Sequence, residues 1–169
     1  MKYIFFTLIN VLSLSYCYSQ QLNDSNFHNT ISMWFNQDQR PQVVESYGEI
    51  EDWDTSQVTD MSEVFNNTSF NRDISSWDVS NVTNMYKMFF QAYYFNQPIG
   101  TWDVSGVTSM NQMFHEAITF NQDISEWNVS SVTDMNKMFS HAHEFNQNLS
   151  SWNFETVSNL ENFLFLSYL

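Results

Sequence analysis

At 169 residues the chain is one domain's worth of polypeptide, and 19 Asp and Glu against 5 Lys and Arg make it strongly acidic. That balance excludes nucleic acid and anionic lipid bound through their phosphates, since no basic patch is there to neutralise them. Three glycines and one cysteine likewise exclude a Gly-rich phosphate loop and a disulfide scaffold.

Residues 1–19 read as a secretory signal. Lys2 gives a positive start, Tyr3 to Tyr16 form an apolar run, and Cys17-Tyr18-Ser19 puts small residues at −3 and −1. The run falls short of the about 20 apolar residues that a transmembrane helix needs. Cleavage after Ser19 would leave a mature chain without cysteine, held by packing alone. Lipid attachment at Cys17 is the alternative, disfavoured by bulky Tyr16 just before it. The expected location is secreted or cell surface.

Residues 20–50 are read as an N-terminal helical cap. Asp24-Ser25 resembles a helix N-cap before Phe27, Ile31, Trp34 and Phe35, whose spacing fits one apolar helix face. Pro41 breaks that helix, and Tyr47-Gly48-Glu49-Ile50 leads into the next region.

Residues 51–169 repeat. Trp53, Trp77, Trp102, Trp127 and Trp152 stand 24, 25, 25 and 25 residues apart, each opening nearly the same phrase. From Trp102 it reads WDVSGVTSMNQMFHEAITFNQDISE. A period in the twenties marks one structural unit stacked on copies of itself, and the stacking is obligatory. A lone repeat buries too little apolar surface to offset the ordering of its backbone.

Two rhythms divide each repeat. Met110, Met113, Phe114 and Ala117 fall at i, i+3, i+4 and i+7, as do Met85, Met88, Phe89, Ala92 and Met135, Met138, Phe139, Ala142. That spacing predicts a helix of about two turns, capped by Thr83-Asn84, Thr108-Ser109 or Thr133-Asp134. Phe120, Gln122 and Ile124 alternate with polar neighbours, which predicts a short strand pairing in parallel with the next turn. Helices need more width than strands, so the stack should curve. The expected fold is α/β: a short, curved, leucine-rich-repeat-like solenoid of about five 24–25-residue turns with an N-terminal helical cap.

Several columns run through the repeats. Asn71, Asn96, Asn121 and Asn146 read as an internal amide ladder rather than a ligand site. Asp54, Asp78 and Asp103 give way to Asn128 and Asn153, which suits turn bonds better than calcium. The tryptophans read as a core column, with carbohydrate recognition as the rival. His141 and His143 are two apart and His115 stands alone, a poor metal pattern. No catalytic set is visible, so neither an enzyme nor a cofactor is expected. The last turn swaps Met for Leu160 and Phe163 and ends in an apolar run through Leu169.

The phrase W-D-V-S-x-V-T-x-M-x-x-M-F-x-x-A-x-x-F-N-Q-x-I-S resembles the repeat of BspA-like leucine-rich-repeat surface proteins, also described as a mycoplasma-lipoprotein-type repeat of unknown function. The resemblance spans about residues 47–169. It implies an extracellular or surface-attached protein used for adhesion or binding, and carries over no catalytic residues.

The function expected is therefore a non-enzymatic binding or adhesion module with an extracellular protein or glycan as partner. Its candidate residues vary between repeats on a constant frame. They are Tyr86-Lys87, Asn111-Gln112 and Asn136-Lys137 on the predicted helix side, and the Tyr93-Tyr94, Ile118-Thr119 and His143-Glu144 steps. The alternatives are a structural surface or matrix component that self-associates through its C-terminal rung, and a carbohydrate-binding solenoid using the tryptophans.

Overall fold

The computed structural model describes residues 21–167. The signal segment, its cleavage after Ser19, Cys17 and the final Tyr168-Leu169 lie outside the described residues.

The cap is helical, as expected, with one element more than the sequence suggested. Helix α1 (Phe27–Phe35) buries Phe27, Thr30, Ile31 and Trp34, one face of a regular helix. A second helix, α2 (Arg40–Tyr47), carries Pro41 in its first turn, where a missing N–H costs nothing. Pro41 thus starts a helix and does not break the first one, which has already ended at Phe35. Only Val43 of α2 is buried, so its sequence carries little apolar rhythm. The helix stops at Gly48, whose φ of 80° favours glycine. Arg40 ties the two helices, its guanidinium 4.4 Å from the centre of the Trp34 ring and its Nε donating to the Trp34 carbonyl at 2.6 Å. A single 3-10 turn, Ile50–Asp52, leads into Trp53.

Beyond Asp52 the described chain contains no helix and no sheet. The expected leucine-rich-repeat-like α/β solenoid of helix-plus-strand turns is therefore not formed. What stacks is a series of irregular turns, called rungs below.

The Met-x-x-Met-Phe stretch shows why. In an α-helix each N–H returns to its own chain four residues back. Here Met88, Phe90 and Ala92 donate three residues back, to Met85, Lys87 and Phe89, as in successive β-turns. The alternate N–H groups leave the rung altogether. Met85, Lys87, Phe89 and Gln91 donate to the carbonyls of Ser109, Asn111, Met113 and His115 in the next rung, at 3.0, 3.0, 2.9 and 2.8 Å.

This alternation needs left-handed backbone twice per rung. Lys87 and Gln91, Gln112 and Glu116, Lys137 and His141 all have φ between 52° and 61°. Each such L-residue costs about 1–2 kcal/mol, which the bonds between rungs offset. The i, i+3, i+4 apolar pattern is common to a helix and to turns that repeat every three to four residues, hence the misreading.

The predicted strand is replaced too. The backbone bridges in parallel at single residues only, Asp60–Asn84–Ser109–Asp134–Asn159, just ahead of the first Met of each rung. Along Phe-Asn-Gln the rungs are joined by side-chain amides. The Asn71 Oδ1 accepts from Asn96 N–H at 3.0 Å and from Gln97 Nε2 at 2.8 Å. Asn96 serves Asn121 and Gln122 in the same way, and Asn121 serves Asn146 and Gln147. The amide ladder is present, but at the half-buried to exposed margin of the stack. With no helix opposite a strand, the width mismatch that predicted curvature is gone.

The core is a set of aromatic files. Phe65, Phe89, Phe114 and Phe139 stack at 5.4, 5.4 and 5.5 Å. Each lies 3.8–3.9 Å from a second file, Phe70, Phe95, Phe120 and Phe145. Trp53 and Trp77 stack at 6.2 Å, as do Trp127 and Trp152. All five repeat indoles are only 3–6% exposed. Trp77, Trp102, Trp127 and Trp152 each donate Nε1–H to the carbonyl of Ile50, Ile74, Ile99 or Ile124 in the preceding rung. Burial of a ring with its polar atom satisfied fixes the register of one rung on another.

Candidate functional site

The acidic and amide columns come first, because they decide what chemistry the surface has to offer. Asp54, Asp78, Asp103, Asn128 and Asn153 each accept the N–H two residues on at 2.9–3.2 Å. These are Asx turns, for which Asp and Asn are equivalent. Asp73, Asp123 and Asn148 repeat the device at a second corner, and Asp60, Asn84, Asp134 and Asn159 at a third. At the third corner the residues expected to cap helices open non-helical turns. The side-chain and backbone bonds to Ser56 and Ser105 hold Asp54 and Asp103 below the usual carboxylate range.

The candidate residues fall into two groups that behave differently. Tyr86, Lys87, Asn111, Gln112, Asn136 and Lys137 are half-buried, and several are spent on the stack itself. Asn111 Nδ2 donates to Asp134 Oδ2 at 2.8 Å, Gln112 Nε2 to Asn111 Oδ1 at 3.0 Å, and Asn136 Nδ2 to Asn159 Oδ1 at 3.4 Å. The Lys87 ammonium rests on the rings of Tyr86 and Phe90, at 5.1 and 4.9 Å. They lie on turns and not on the predicted helix side.

The second group faces water. Tyr93 and Tyr94 are 39% and 63% exposed, His143 and Glu144 are exposed, and Ile118 and Thr119 between them are half-buried. Their backbone is pinned. The Tyr93 carbonyl accepts from Thr119 N–H and Oγ1–H at 3.3 and 3.1 Å, and the Ile118 carbonyl from Glu144 N–H at 3.0 Å. His143 and Glu144 border a shallow depression with Asn121 and Asn146. This column joins a rigid frame to side chains that change from rung to rung.

One cluster escaped the sequence. The rings of His115 and His141 lie 5.6 Å apart, and those of His141 and His143 6.1 Å apart. Laying the repeats in register puts residue 115 against 140, beside His141, and would have found the contact. His115 Nδ1 is buried without a partner, while Nε2 is 3.2 Å from Glu116 Oε1. Burial holds the His115 pKa below the ordinary imidazole value, against the pull of Glu116, and His141 and Lys137 lower it further. Among the described residues no group of three or more His, Cys, Asp or Glu is arranged to hold a metal ion.

The buried indoles leave carbohydrate recognition through the tryptophan column without an exposed ring. No helix among the described residues is long and apolar enough to cross a membrane.

Comparison with known proteins returns one family. The model described as "Mycoplasma protein of unknown function, DUF285" matches residues 29–122 and again residues 91–167. No curated protein and no solved structure matches the chain.

Proposed function

Since the chain belongs to this family of mycoplasma-type repeats of unknown function, we propose that it is a non-enzymatic binding module whose contact surface is the Tyr93–Tyr94, Ile118–Thr119, His143–Glu144 column. One observation carries the reading: Tyr94, 63% exposed, directly follows the Tyr93 carbonyl that Thr119 of the next rung holds. Tyrosines on a pinned backbone are large contact groups with few side-chain torsions to fix on binding, so they suit an interface. The partner class is an extracellular protein or glycan, in keeping with the secretory signal expected from the sequence of residues 1–19 and the resemblance to BspA-like surface repeats.

The test replaces Tyr93 and Tyr94 together by Ser and measures binding to immobilised extracellular-matrix proteins and a glycan array. Thermal melting serves as the control for folding. Loss of a ligand with unchanged melting supports the proposal. Full retention of every ligand bound by the unaltered chain, both in this variant and in His143→Ser with Glu144→Ser, ends it.

A further inference from the structure

At the first rung the N-terminal cap takes the place of a preceding rung, column by column. Asp24 Oδ1 accepts from the N–H groups of Thr59 and Asp60 at 2.7 and 3.2 Å, whereas Thr83 N–H uses the Thr59 carbonyl. The Gly48 carbonyl takes the Trp53 indole at 3.1 Å, as the Ile50 carbonyl takes that of Trp77. Trp34 and Phe35 set their rings edge-on to Phe70, at 5.8 and 6.2 Å, where Phe95 has Phe70 itself.

The asparagine column is the exception. Asn96 N–H reaches the Asn71 Oδ1 at 3.0 Å and Gln97 Nε2 the same oxygen at 2.8 Å, and the next two rungs repeat the pair. Asn71 N–H has no acceptor among the described residues. Beside it, in the place of Gln97, stands Arg72. The first rung thus keeps both donors, gives one of them a charge, and lacks the planar oxygen that such donors hold elsewhere.

Asn71 and Arg72 line a cleft of about 300 Å³ together with Trp34, Phe35, Arg40 and Ser69. Both arginines of this acidic chain therefore meet at one place. Each is fixed at Nε, Arg40 by the Trp34 carbonyl at 2.6 Å and Arg72 by Glu51 Oε1. Their Nη groups have no acceptor among the described residues. Trp34, 6% exposed, also has its Nε1–H buried without an acceptor. Donors around the cleft outnumber acceptors, which suits an anion. Glu51 offsets Arg72 and Glu49 acts in the same sense, so the balance calls for one negative charge.

We propose that this cleft binds one carboxylate, carried on a sugar ring as in a uronic acid. A carboxylate is the charged isostere of the asparagine amide that the column lacks here. It is planar, offers an oxygen to Asn71 N–H, and matches the fork of an arginine. One ring fits a cleft at the lower end of small-ligand sites. Half-buried Phe35 gives that ring an apolar wall. The Ser69 hydroxyl and Asn71 Nδ2 have no partner among the described residues and are left for its hydroxyls. A polyanion is opposed by the chain's net charge of −14. The site goes beyond the tyrosine column proposed above and uses none of its residues.

The test is titration of the full chain with sodium glucuronate, followed through backbone amide resonances. The Asn71 amide shifts and saturates, while those of Asn121 and Asn146, whose acceptors are in place, stay still. Arg40→Gln and Arg72→Gln each weaken binding at least about tenfold. Arg72 is exposed and the next three rungs carry glutamine in its place. Arg72→Gln therefore stays folded and decides the matter even where Arg40→Gln loosens the cap; melting temperatures check both. Glucose, which lacks the charge, and sulfate, which lacks the plane, bind at least about tenfold more weakly. Four results would overturn the proposal: no binding below about 50 mM glucuronate, equal binding of glucose or sulfate, tighter binding of an N-acetylated dipeptide, or binding indifferent to both substitutions.

Discussion

At the first rung, outward-facing backbone is met by the N-terminal cap, through Asp24 just ahead of α1 and His28 within it. At the last rung, equivalent backbone is met by nothing among the described residues, and leucines replace the methionine and phenylalanine of the interior. Both ends derive from one phrase, so the difference isolates what a neighbouring rung contributes. A neighbour turns a partly exposed side chain into core and gives alternate N–H groups an acceptor. A rung of this kind has no secondary structure of its own to fall back on, since half of its N–H groups in the Met-Phe segment are bonded elsewhere.

The sharpest way to break the comparison is to delete the same file position at its centre and at its end. Phe114→Ala should cost about 3–5 kcal/mol, because the ring is fully buried and stacked on both sides. Leu164→Ala, in the same file but 40% exposed, should cost under about 1 kcal/mol. Urea denaturation of both variants measures the contrast, and equal losses would mean that burial by a neighbour is not what separates them.

Next in size is the clip. Asp24→Ala removes three hydrogen bonds and should cost about 1 kcal/mol, as loss of a helix cap does. Its hydrogen bonds to Thr59, offset in part by desolvation, hold the Asp24 pKa below the usual carboxylate range. The folded pKa is depressed, so this contribution is complete above the unfolded carboxylate pKa and is lost as acid carries pH down through the folded one. Amide exchange at Thr59 and Asp60 should accelerate in the variant at neutral pH, and in the parent only in acid.

A smaller effect carries a sign that separates turns from helix. Gln112 has φ 57°, so Gln112→Gly should be neutral or stabilising by up to about 1 kcal/mol. At the centre of a helix the same change would cost about 1 kcal/mol. Leu166→Gly, at φ 56° on the open end, should behave alike, because the strain is local to each rung. Melting temperatures decide.

The smallest effect is set by pH. Burial lowers the pKa of His115 in the fold. Stability should be complete above the unfolded imidazole pKa and decline as pH falls from there toward the folded value. His115→Gln should flatten that part of a melting-temperature profile and leave the acid limb from the aspartates intact.

Much of this was legible from Trp53 onward. The period, the buried indoles, the Asn ladder and the Asp-to-Asn turn positions follow from which side chains recur at the same place. The local path of the chain was not legible. Left-handed residues are usually announced by glycine, yet here Lys87, Gln91, Gln112, Glu116, Lys137 and His141 hold those places. Their φ is imposed by bonds to the next rung, information that no single repeat contains. The exposed column at Tyr93, Tyr94, His143 and Glu144 was visible as variation, whereas Asn111 and Asn136 looked equally variable and are tied into the stack. Helix α2 was hidden by its polarity.

The indole files have an optical consequence. Trp53 lies within 5° of parallel to Trp77, and Trp127 within 10° of parallel to Trp152, both at 6.2 Å between centres. Chromophores so close and so aligned share their excited states, so absorbed light is delocalised over a pair before it is emitted. Parallel stacking of this kind shifts the indole ultraviolet absorption away from that of separated tryptophans. That shift will vanish when the rungs part, even where each turn keeps its shape.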